Sequence, residues 1–143
     1  MNWKLIFRLS ILGLVMAFAT VYFIPFNIEP FCWLVIFAFC AYMIATHTTT
    51  ARFLHGFLVS IVNSVWITAT HILLFSRYIV QHPQEANFAA NSPFPTHPRL
   101  VMLIMGPMFG IGFGIILGLF SFAAGKFIKG STVPKPRAMG QSA

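Results

Sequence analysis

Acidic residues are almost missing from this chain. It contains no Asp at all, and its only carboxylates are Glu29 and Glu85. Charged residues of either sign make up 8% of the sequence, against about a quarter in an average soluble domain. So few charges cannot clothe a sequence that is 58% hydrophobic in water, so an ordinary soluble globule is excluded. Without Asp, a Ser-His-Asp arrangement cannot be completed. The sequence also lacks a Gly-rich phosphate loop, a His-Glu-x-x-His motif and a Gly-x-Ser-x-Gly elbow, so no enzyme reading finds its parts and a non-enzymatic protein is expected. The two cysteines, Cys32 and Cys40, lie in one apolar run. On a helix they stand roughly 12 Å apart along the axis, too far for a disulfide, and read as small buried hydrophobes.

Long apolar runs are what the chain does have. Crossing about 30 Å of hydrocarbon takes roughly 20 apolar residues at helical rise. Four such segments stand out, at about 5–24, 31–46, 53–76 and 100–125. One folding unit covering 1–129 is expected, an all-α integral membrane protein whose four transmembrane helices form an antiparallel bundle. The short turns at Pro25 to Pro30 and His47 to Arg52 place neighbouring helices antiparallel, and Thr50 reads as the cap of the third span. Lys4 and Arg8 before an apolar stretch, with Ala17-Phe18-Ala19, also fit a secretory leader; the run continues to Ile24, and a retained span is the simpler reading.

The formal charge of +7 would suggest nucleic acid in a soluble protein, but here the basic residues flank apolar runs and read as membrane anchors, with no nucleic-acid partner. With the N-terminus inside, Lys4, Arg8, Arg52, Lys126, Lys129, Lys135 and Arg137 are cytoplasmic, and only Arg77 and Arg99 are outside. Lys and Arg are retained on the cytoplasmic side, so the expected topology is N-in and C-in in a cytoplasmic-type (inner) membrane. Trp3, Tyr22, Trp33 and Tyr78 sit near span ends as an aromatic belt would. The segment 77–99 carries Pro83, Pro93, Pro95 and Pro98 and reads as a long outer loop, either a contact surface or a tether. The basic tail 130–143 reads as disordered and able to lie on anionic lipid.

Four constellations remain. Gly106, Gly110, Gly114 and Gly118 recur every fourth residue of the fourth span, which advances a helix by about 400° per step and makes a slowly drifting stripe of small residues. Such a stripe is a packing surface in lipid, either for another helix of this chain or for a homo-oligomer or another membrane subunit. Pro107 interrupts the backbone bonding there and predicts a kink. In the third span, Gly56, Ser60, Asn63, Ser64, Thr70 and His71 fall on one side, which should turn inward either as hydrogen-bonding glue or as a small-solute or ion pathway. No Asp, Glu, Lys or Arg lies at the centre of a span, so a carboxylate-coupled pump is not expected. Finally, His71 with Met102, Met105 and Cys32 offers ligand types suited to Cu(I) or, for a His/Met pair, haem, although the methionines diverge around their helix. His82, Glu85 and His97 form a weaker metal candidate. No resident cofactor is expected. The leading expectation is a structural or interaction subunit assembling through the glycine stripe; the alternative is a transport pathway along the third span.

Overall fold

The computed structural model describes residues 1–129, and the expected basic tail at 130–143 lies outside them. The described residues form six helices and no strands: α1 (Trp3–Tyr22), α2 (Glu29–His47), α3 (Arg52–Leu73), α4 (Phe75–Gln81), α5 (Pro83–Ala90) and α6 (Pro98–Lys129). Four of them, α1, α2, α3 and α6, are long and apolar enough to cross a membrane. Many of their large apolar side chains, Val15, Val35, Val65 and Leu119 among them, face outward. That distribution suits a bilayer, where lipid replaces water around the bundle.

The segment 77–99, expected as a loop, instead contains α4 and α5, and these fold back onto the bundle. Tyr78, His82 and Ala89 are buried there. Pro83 stands at the start of α5, where its missing N–H costs nothing because the first helical turn has no intrahelical acceptor for it. The proline that suggested a loop therefore starts a helix. Thr50 does not cap α3 either. The cap position is Ala51, in the left-handed region at φ 52°, with no side-chain bond to the helix start. At that turn Arg52 makes the polar contacts, donating to the Ala45 and Thr48 carbonyls at the end of α2 at 3.3 and 3.0 Å and to Gly125 O on α6 at 3.4 Å. A cation beside carbonyls left free at a helix C-terminus is favourable.

α3 is the hub, packing most extensively on α6 and next on α1, while α2 leans mainly on α6. Glycines make both α3 contacts close. A side chain at Gly106 would meet Thr68, at Gly110 Ser64, at Gly114 the Phe57 ring, at Gly118 the Phe53 ring, and at Gly125 Arg52. The glycine stripe thus lies against α3 of the same chain. On the α1 side, Gly13 makes room for the Asn63 side chain. Gly112, which falls between the stripe positions, has nothing near it. Pro107 sits inside a helix that continues through it.

The four spans meet tightly only at the end carrying the α2–α3 turn. Leu5, Ile6 and Leu9 of α1 cluster there with Phe37, Cys40, Ala41 and Ile44 of α2, Val59 of α3 and Leu117 of α6. Towards the α4–α5 end this core gives way to a cavity. Gly110→Leu should therefore destabilise the protein by roughly 1–3 kcal/mol through overpacking against Ser64, whereas Gly112→Leu, two residues away, should be tolerated. Thermal unfolding of the two variants in detergent checks this; equal loss in both would contradict the packing.

Candidate ligand-binding cavity

A cavity of about 480 Å³ opens between α2, α3 and α6, within the range typical of small-molecule sites. Its α3 wall is polar, with Ser60, Asn63, Ser64, Thr68 and His71. Facing it are Phe37 of α2 and Phe109, Phe113 and Ile116 of α6, with Phe37 and Phe113 in edge-to-face contact at 5.9 Å. Gly106 and Gly110 also line it, so the glycines that bring α6 close to α3 also leave room for an occupant.

The polar wall follows from the two faces of α3. One face turns to α1. His55 Nε2 accepts from Asn2 N at 3.0 Å while its Nδ1 lies 2.9 Å from Ala51 O, and near the other end His71 Nε2 contacts Thr20 Oγ1 at 3.0 Å. The Thr20 hydroxyl also lies within bonding distance of Ala17 O at 2.9 Å, so which partner donates in the His71 contact follows the His71 tautomer. The other face turns to α6, where Ser60 Oγ donates to Gly110 O at 3.2 Å and Ser64 Oγ bonds its own helix at Ile61 O. Asn63 stands apart from these satisfied groups. It is only 3% exposed, lines the cavity, and neither its Oδ1 nor its Nδ2 has a hydrogen-bond partner. A buried amide left unpaired costs about 1–3 kcal/mol.

At the α4–α5 end the wall becomes a column of rings. His71 stacks on Tyr78 at 3.9 Å and Tyr78 on His82 at 4.3 Å. His82, fully buried, brings Nε2 to 3.3 Å from Glu29 Oε2, within ion-pairing distance but outside hydrogen-bond alignment. Glu29 Oε1 accepts from Trp33 Nε1 at 3.1 Å. Glu29, Trp33, Tyr78 and Glu85 all line the cavity. Burial, and then the fields of Glu85 and Glu29, push the Tyr78 phenol far up, so it stays neutral. Burial raises the Glu85 carboxyl above its ordinary value; His82 opposes this and the like charge of Glu29 adds to it.

Of the residues singled out in the sequence, Ser60, Asn63, Ser64 and His71 come together on this wall, and Met102 and Met105 join them. Thr70 is buried on α3 but is not part of the lining, and neither is Cys32. Among the described residues no three His, Cys, Asp or Glu side chains gather as a metal site. His82 is not a solvated loop histidine but the buried partner of Glu29, while His97 is exposed. Sequence reasoning missed Glu29, Trp33, Tyr78, His82 and Glu85 as one group. The usable signal was that a chain so poor in acids keeps both in the segments between its apolar spans, before the second and between the third and fourth.

Comparison with known protein families, with curated proteins and with solved structures finds no match for this chain.

The folded protein holds the Glu85 proton more tightly than the unfolded chain does. The resulting stabilisation is complete below the ordinary value of 4.5 and is lost as pH rises through the higher folded value. Glu85→Gln removes this dependence. Its thermal stability relative to the parent should increase from acid to neutral pH in paired melts, and parallel curves would refute the assignment.

Proposed function

We propose that this is a non-enzymatic membrane protein that binds a small, largely apolar molecule in the cavity between α2, α3 and α6, and so offers a small-solute path along the polar wall of α3. The observation that carries the reading is the 480 Å³ cavity, whose lining includes Asn63, a buried residue with an unpaired amide. Evolved interiors rarely leave a buried donor and acceptor without partners, and a bound ligand or water is the usual resolution. Assembly through Gly106, Gly110, Gly114 and Gly118 has less support, because α3 already occupies that face.

The setting we propose is a four-span antiparallel bundle in a cytoplasmic-type membrane, with both termini inside. Pairings across α3 and α6 support it, since Phe53 lies by Gly118, Phe57 by Gly114 and Thr68 by Gly106. The basic side chains of Lys4, Arg8, Arg52 and Lys126 at one end support the orientation. The cavity then runs from the outer end of the bundle, at Glu29 and Glu85, past the middle of the spans to Ser60 and Ile116.

Native mass spectrometry of protein released from nanodiscs tests the reading. The parent should retain a discrete bound molecule. Asn63→Leu should lose it while unfolding at the same or a higher temperature, because the substitution also removes an unpaired buried amide. An empty parent, or a variant that keeps its ligand, would contradict the proposal.

A further inference from the structure

The chain has only two acidic side chains, Glu29 and Glu85, and both line this same cavity. They come from different elements, the start of α2 and the first turn of α5. Of the nine Lys and Arg residues in the sequence, none is among the described residues that line it. Among the described residues, the basic groups whose charge acts on the two acids are imidazoles: that of His82, 3.3 Å from Glu29, on both, and that of His71 on Glu29. A site that gathers both acidic side chains of a basic protein, with no Lys or Arg among the described residues that line it, is shaped by charge.

We propose that the occupant is a lipophilic organic cation, an ammonium head group on an apolar body, whose head lies by Glu29 and Glu85. This identification rests on the reading of the cavity as a ligand site. Aromatic side chains accompany the carboxylates, with Phe26, Trp33 and Tyr78 in the same lining. Aromatic faces attract quaternary and protonated amines, and more strongly where water is excluded. The rest of the cavity, with Phe37, Phe109, Phe113 and Ile116, offers the apolar body a sheath of rings and aliphatic groups. Asn63, nearer the middle of α3, is a second sign of an unmet polar requirement at this wall, since the residue belongs to the lining, is almost fully buried, and its amide, which lies against Gly13 of α1, is unpaired. Burial works against the charge of Glu85, and a cation beside it supplies the favourable field that restores it. An anionic head would face two carboxylates with no Lys or Arg among the described lining residues to receive it.

The test uses the full chain in nanodiscs of phosphatidylcholine and three probes of equal chain length: decyltrimethylammonium, decanol and decyl sulfate. Titration calorimetry, with empty nanodiscs subtracted, reads binding. The cation should bind at one site per chain at least about tenfold more tightly than decanol, and decyl sulfate should not bind. Glu29→Gln and Glu85→Gln should each weaken the cation by about tenfold and leave decanol unchanged, with thermal melts reporting that each variant is folded. Should either variant fail to fold, the selectivity of the parent among the three probes decides. Decanol binding as tightly as the cation, or full cation affinity in the folded double variant, would overturn the cationic assignment and leave the cavity as a site for a neutral ligand. If none of the probes binds beyond empty nanodiscs, the ligand-site reading falls with it.

Discussion

The close approach of α6 to α3 is the contact on which the rest of the structure depends. In lipid there is no hydrophobic effect to press helices together, so contact requires surfaces that let backbones come near and polar groups that bond across. α6 supplies the first through Gly106, Gly110, Gly114 and Gly118, and α3 supplies the side chains that fill the groove, Thr68, Ser64, Phe57 and Phe53. Ser60 adds the bond across, to Gly110 O. With α6 fixed on one side of α3 and α1 on the other, α2 is left to close the bundle mainly against α6. It does so fully at one end only. The cavity is the space left where α2 stands off from the joined α3 and α6.

The same contact explains why the polar residues of α3 are not merely adhesive. His55 and His71 bond to α1, and Ser60 bonds to α6; these hold the bundle together. Asn63 makes no such bond although it lies between them. At the α4–α5 end the stacked rings of His71, Tyr78 and His82 carry the wall from the span to the half-buried Glu29. Two short helices are thereby tied to the membrane part by aromatic stacking and charge, and they bring Glu85 to the cavity.

Much of the architecture was legible in the sequence because length and apolar content alone decide which segments can span a bilayer. The bounds 53–76 and 100–125 differ from α3 and α6 by a few residues, since apolar runs mark lipid and not helix ends. The spacing of the glycines showed a close-packing face, but periodicity describes a helix surface without naming the helix that covers it. That is why Gly106 to Gly118 could be read as an interface between chains until Phe53, Phe57, Ser64 and Thr68 were seen against them. The inward side of α3 was legible in the same way, yet its division between α1 and α6 depends on tertiary packing. α4 and α5 were hidden because segments of seven and eight residues carry too few turns for a periodic signal, and Pro83 reads equally well as a breaker and as a helix start. The meeting of Glu29 with Glu85 is a long-range event that no local pattern encodes.

Whether the polar wall of α3 borders an accessible space is tested most directly by two neighbouring positions. Ser64 lines the cavity, whereas Val65, the next residue and so at nearly the same depth, is 60% exposed on the outer surface of the bundle, where the lipid should lie. In a background with Cys32→Ala and Cys40→Ala, Ser64→Cys and Val65→Cys are each exposed to a small water-soluble thiol reagent in intact nanodiscs. The account predicts modification of the Ser64→Cys protein and protection of the Val65→Cys protein. Equal protection at both positions, with the variants folded, would contradict it.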